Sequence, residues 1–118
     1  MGALRLLILL AFSYLFGCGA ALADKRVALV IGNSAYQKVA KLGNPANDAG
    51  AVSAMLRSAG FEVDSRLNQT ATELRRSLRE FGGKSRDADV AIVYYAGHGI
   101  ELDGTNYLIP VDANLETD

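Results

Sequence analysis

The chain has 118 residues, half of them hydrophobic, with twelve Lys and Arg against thirteen Asp and Glu and a formal net charge of -1. This balance excludes a disordered polar tail and caps the fold at one small domain. Without a basic stripe or interleaved aromatics, the chain also lacks what a nucleic-acid backbone demands, so no nucleic-acid partner is expected.

The opening MGALRLLILLAFSYLFGCGAALA carries one early basic residue, Arg5, an uncharged stretch from Leu6, and Ala21-Leu22-Ala23 before Asp24. A basic start, an apolar centre and a small-x-small end read as a secretory signal peptide over residues 1–23. Two other readings stay open. The uncharged stretch is just long enough to span a bilayer as an uncleaved anchor. Leu15-Phe16-Gly17-Cys18 is similar to a bacterial lipoprotein box, in which Cys18 carries lipid, although bulky Phe16 fits it poorly. The expected location is periplasmic or extracellular, with membrane attachment only if the leader is retained or Cys18 is lipidated. Cys18 is the single cysteine, so residues 24–118 can form no internal disulfide and depend on one hydrophobic core.

Residues 24–118 show no repeat and no Pro/Ser-rich linker. Arg26 to Gly32, RVALVIG, is a continuous apolar run ending in glycine, the pattern of a strand covered on both faces of a parallel sheet. Asn33 to Pro45 follows as a polar loop. From Ala46 the apolar positions Ala49, Val52, Met55, Leu56 and Ala59 predict a helix, with Gly60 as its left-handed terminator. FEVD, Phe61 to Asp64, predicts a short strand. Thr70 and Glu73 have the spacing of a capping box, opening a helix that carries Leu74, Leu78 and Phe81 on one face. Arg75, Arg76, Arg79 and Glu80 make its solvated face, and Gly82-Gly83 is expected to end it. Asp89 to Ala96, DVAIVYYA, predicts a third strand. Asp103-Gly104, flanked by Ile100-Glu101-Leu102 and Tyr107-Leu108-Ile109, predicts a hairpin within Gly99 to Pro110. Strand, helix, strand, helix, strand argues an α/β fold with a parallel sheet.

His98 is the only histidine, and it lies just past the carboxyl end of the third strand, where open parallel sheets bind ligands. Gly97 and Gly99 beside it permit a sharp turn and close approach. An imidazole fixed at such an edge suits a general base, and the Gly99 N–H can face a developing oxyanion with no side chain in the way. A turn histidine that merely caps the strand is the plainer alternative. No second histidine, and no cysteine after residue 24, is present to share a metal. Ile31-Gly32-Asn33-Ser34-Ala35 is not a dinucleotide fingerprint, and neither a P-loop nor a GxSxG elbow occurs.

Taken together, ALVIGNSAY (Ala28 to Tyr36), LGNPANDA (Leu42 to Ala49), GFEV (Gly60 to Val63), YYAGHG (Tyr94 to Gly99) and YLIPVDA (Tyr107 to Ala113) resemble the bacterial caspase-like cysteine peptidases, relatives of metacaspases and paracaspases. The resemblance implies a caspase–hemoglobinase-like three-layer α/β fold and a Cys–His dyad that cleaves peptide bonds. In it His98 is the base and Gly99 supplies an oxyanion donor; no cofactor is expected, with a calcium requirement left open. Asp48 matches the position that lines an acidic pocket for a basic P1 residue in metacaspase-type members. Its plainer role is a carboxylate favoured by the positive end of a helix dipole. Ala96 stands where many eukaryotic metacaspases have serine.

In the family the nucleophilic cysteine ends the next parallel strand, after one further helix, and the sequence stops at Asp118 before either. The chain is therefore expected to be the N-terminal portion of an exported caspase-like endopeptidase, inactive as it stands. A non-catalytic peptide-binding module is the alternative. A receiver-like domain is disfavoured, because Asp24, Asp64 and Asp89 form no acidic cluster at strand ends and Asp89 begins its strand.

Overall fold

The structure, a computed structural model, describes residues 24–116. The leader and Cys18 lie outside the described residues. Along the chain the elements are β1 (Arg26–Gly32), α1 (Pro45–Ser58), β2 (Glu62–Leu67), α2 (Ala71–Ser85), β3 (Val90–Ala96), β4 (Gly99–Leu102) and β5 (Thr105–Leu108). The first three strands form a parallel sheet in the order β2-β1-β3, and β4 and β5 form a separate antiparallel hairpin.

The central place of β1 explains its unbroken apolar run, because both of its faces are covered. Val27, Leu29 and Ile31 point to one side and pack with Leu74 and Phe81 of α2. Ala28 and Val30 point to the other and pack with Ala49 and Leu56 of α1. The chain steps from β1 to β2 and then back past β1 to β3. Crossovers of one hand place helices on opposite faces when the direction reverses, which yields three layers.

Sequence signals at the element ends are borne out where they rest on a backbone requirement. Gly60 adopts φ 84°, with its N–H on the Arg57 carbonyl and the Phe61 N–H on the Leu56 carbonyl, each at 3.0 Å. That pair of bonds closes α1 in a Schellman motif. Thr70 caps α2 in a complete capping box with Glu73. Asp103 and Gly104 both have positive φ, 50° and 77°, as a two-residue turn matched to strand twist requires.

Other boundaries shift. β2 does not end at Asp64 but runs to Leu67, since its parallel register with β1 continues to Gly32. Phe61 stays outside that strand while packing on the α1 side. α2 does not stop at Gly82-Gly83 but passes through to Ser85. Neither glycine has a positive φ, and Phe81 anchors the helix while Lys84 reaches Glu62 at 3.6 Å.

The buried faces also differ from the apolar periodicity. Leu78 is 38% exposed and Met55 62% exposed. Their inward places are taken by Ser77, bonded to Gln69, and Ser53, bonded to Ser65. A small polar residue with a partner packs closer to a sheet than a long apolar one.

All three parallel strands end level, with Gly32 opposite both Leu67 and Ala96. A Cβ on Gly32 would lie 2.6 Å from the Pro45 carbonyl and 2.8 Å from the Ala49 Cβ. The missing side chain thus lets the start of α1 sit on the carboxyl end of β1.

Candidate active site

A third cluster, Tyr36, Ile109 and Val111, caps the carboxyl edge of the sheet. It exists because the loop after β1 and the segment after the hairpin are stitched together. Asn33, fully buried, donates its N–H to the Ala96 carbonyl at 2.8 Å and accepts the Gln69 N–H on Oδ1 at 2.9 Å. Its Nδ2 donates to the Ile109 carbonyl at 3.4 Å. A buried amide so satisfied costs little and fixes three chain segments at one point. Asn68, at φ 52°, accepts the N–H groups of Ser34 and Ala35 on Oδ1, each at 2.9 Å. Pinned in this way, the loop turns Tyr36 inward to 1% exposure.

His98 follows β3 after a single glycine. Its backbone N–H donates to the Tyr36 hydroxyl at 2.7 Å, and its carbonyl accepts from the Tyr95 hydroxyl at 2.7 Å and the Ile109 N–H at 3.1 Å. The imidazole tilts at 57° over the Tyr36 ring with centroids 4.5 Å apart. Its Nε2 lies 2.7 Å from the Ala40 carbonyl oxygen. A carbonyl only accepts, so in this contact Nε2 carries the proton and Nδ1 is the nitrogen left to take one.

The two tyrosine hydroxyls, 3.2 Å apart, converge where Gly97 passes. A Cβ there would fall 2.6 Å from the Tyr95 hydroxyl and 2.7 Å from that of Tyr36. Burial, reinforced by the bond to Tyr36, pushes the Tyr95 phenol well above its ordinary pKa, so it stays a neutral donor.

Gly99 opens β4 opposite Leu108. The Ile109-to-His98 bond makes those two residues a hydrogen-bonded pair, so by the antiparallel alternation the Gly99 N–H turns away from β5. The nearest atom to a Cβ built on Gly99 is the Tyr107 carbonyl, at 3.5 Å.

Sequence reasoning therefore puts His98 and Gly99 where the structure brings them, adjacent at the carboxyl edge. Asp48 sits in the exposed first turn of α1, its N–H bonded to the Asn44 carbonyl at 2.9 Å. Among the described residues no hydrogen bond or ion pair joins it to His98. The Ala40 carbonyl was not foreseen, because a main-chain acceptor leaves no mark in a sequence. Tyr36 and Tyr95 stood inside the quoted motifs without a role. Their signal was a hydroxyl-bearing ring at the end of an otherwise apolar stretch.

The caspase domain family matches residues 25–117 of this chain. The chain belongs to that family. It is 39% identical over 92 residues to the human mucosa-associated lymphoid tissue lymphoma translocation protein 1, an alignment covering 78% of this chain and 11% of the human protein. The mouse homolog is 38% identical over 95 residues, covering 80% and 11%. The chain thus spans only a small part of the length of the curated relatives it matches. As a member of the caspase domain family it has a parallel sheet with flanking helices. Within this caspase domain, four of the five motifs reach the sheet's carboxyl edge or the loops that wrap it, while GFEV lies at the opposite end, between α1 and the start of β2.

Proposed function

We propose that the chain supplies the base and oxyanion-binding half of a caspase-type cysteine endopeptidase. The observation that carries this reading is the placement of His98, with Nε2 on the Ala40 carbonyl and, among the described residues, no hydrogen bond at Nδ1, next to an outward-facing Gly99 N–H. In the proposed reaction Nδ1 takes the proton of a thiol, and the thiolate sulfur attacks the scissile carbonyl carbon. The Nε2–H bond to Ala40 stabilises the resulting imidazolium, and the Gly99 N–H donates to the oxyanion. Collapse expels the amine, which receives the proton from His98 and leaves a thioester for water to hydrolyse. The proposed chemistry uses protein groups and one water.

Residues 24–118 contain no cysteine, so the thiol of such a site is supplied from outside them, and these residues by themselves are proposed to be inactive. Asp48, in the exposed first turn of α1, is proposed to favour a basic P1 residue. The leader composition supports export in a bacterial host. The same lack of a cysteine favours one second reading, a peptide-binding module without hydrolysis.

The experiment is a peptidase assay of the parent protein on peptides carrying Arg, Lys or Asp before the cleaved bond. His98→Ala is expected to abolish cleavage, and full activity in that variant would sink the dyad. Binding of the same peptides with no cleavage would favour the module, and preference for Asp over Arg would remove Asp48 from the site.

A further inference from the structure

Two hydroxyls that the proposed chemistry does not use surround the peptide units carrying both of its groups. We propose that Tyr36 and Tyr95 are a pair of positioning residues, Tyr36 aiming the His98 imidazole and Tyr95 aiming the Gly99 N–H. The inference rests on the base and oxyanion reading above and says what holds those groups in place.

Tyr36 contacts His98 twice. Its hydroxyl takes the His98 N–H at 2.7 Å, which fixes the Cα, and its ring lies under the imidazole at 4.5 Å, which restricts the side-chain torsions. Two restraints of this kind leave the ring little choice but to point Nε2 at Ala40. Tyr95 acts through the backbone. Its hydroxyl donates to the His98 carbonyl at 2.7 Å, and that carbonyl belongs to the same peptide plane as the Gly99 N–H. Because the peptide is planar and trans, holding its C=O from one side sets the direction of its N–H on the other.

The protons are accounted for in one arrangement. The His98 N–H goes to Tyr36, the Tyr36 hydroxyl goes to the Ile109 carbonyl at 3.0 Å, and the Tyr95 hydroxyl, with the Ile109 carbonyl at 3.0 Å and the His98 carbonyl at 2.7 Å in reach, gives its one proton to the shorter contact. Gly97 has no side chain in the space where both hydroxyls converge. Tyr36 is buried to 1% exposure and Tyr95 is half-buried, so solvent does not compete freely for these bonds.

The test uses the full chain labelled with 15N, reading the imidazole nitrogens of its single histidine and the amides of His98 and Gly99. Tyr36→Phe is expected to shift the His98 amide and move the imidazole from one neutral tautomer toward a mixture. Tyr95→Phe is expected to shift the Gly99 amide and speed exchange of the Ile109 N–H, which shares the His98 carbonyl, by about tenfold, the effect of one lost hydrogen bond. Tyr107→Phe, on exposed β5, should move none of these signals. A merely structural role lowers the melting temperature without selective changes at residues 98 and 99.

If both Tyr36→Phe and Tyr95→Phe stay folded with those signals at their parent positions, the proposal is overturned. Should either fail to fold, the parent protein decides: both tyrosine hydroxyl protons must exchange slowly, and fast exchange at either one overturns its assignment. Full peptidase activity in a His98→Ala variant of the thiol-bearing protein would remove the catalytic reading without touching the Tyr36→Phe and Tyr95→Phe spectra, which are read on chains that keep His98, so the two failures are distinguishable.

Discussion

The Ala40 carbonyl oxygen stands 2.7 Å from Nε2 of His98, although the two residues are far apart in sequence and Ala40 lies in a loop without regular structure. A main-chain oxygen, on a residue whose own side chain has no polar atom, thus governs the proton position on the only imidazole. The neutral ring is expected to carry its proton on Nε2. Histidine 15N spectra of the parent protein check this, and a ring protonated mainly on Nδ1 would contradict the geometry.

Gly97→Ala puts a methyl group where two hydroxyls now meet, at 2.6 and 2.7 Å. One tyrosine must move, and overpacking of this kind costs roughly 1–3 kcal/mol. Urea denaturation is expected to show that loss. Gly99→Ala, with its nearest contact at 3.5 Å, is expected to fold like the parent, and equal stability losses at the two glycines would refute the contrast.

Thr70→Ala removes the cap of α2 and is expected to cost about 1 kcal/mol by chemical denaturation. The Thr70 backbone N–H, and then its hydroxyl, hold the Glu73 carboxyl below its usual pKa. A lowered folded pKa means the contribution is present above the ordinary carboxylate range and is lost as pH falls through the lowered value. Glu73→Gln should therefore flatten the acid limb of the stability profile, and an unchanged limb would show that the box does not titrate.

Leu29 is fully buried at the centre of β1. Leu29→Ala is expected to destabilise the domain by about 2–5 kcal/mol, read from the denaturation midpoint. A loss under about 1 kcal/mol would mean that α2 collapses onto the space.

The two edges of the parallel sheet are built differently. On β2, Arg66 pairs with Asp64 of the same strand at 2.8 Å, and Glu62, Asp64 and Arg66 meet Lys84 and Glu80 of α2 in ion pairs of 3.6 to 4.0 Å. On β3, Val90 and Val93 are 40% and 48% exposed, and among the described residues β3 has β1 as its only neighbour. Concentration-dependent association through β3 is expected. Val93→Lys should suppress it in sedimentation runs, whereas Glu62→Lys on the other edge should not.

The fold was legible because its main signals were backbone requirements: the unbroken run of β1, the left-handed Gly60, the paired Thr70 and Glu73, and the Asp103-Gly104 turn. Periodicity misled where packing distance mattered, as at Ser53 and Ser77, which displaced Met55 and Leu78. The site was half legible. His98 announced itself as the single histidine between glycines, but the groups that hold it come from a loop with no period and from main-chain atoms shared by every residue type. Asp48 reached the expected end of the sheet, yet nothing in its bonding distinguishes a specificity residue from a helix-start carboxylate.

Asn33 joins positions that lie 36 and 76 residues further along the chain, through its bonds to Gln69 and Ile109. Such closures come late, since the intervening loop entropy must be overcome before they form. Ile109 also lies beyond His98, and its amide completes the hold on the histidine carbonyl. The proposed base is therefore assembled only after the last of these segments has docked, so a nascent or partly folded chain carries a histidine but no aimed one. For the proposed half-site, that order of assembly is a built-in delay.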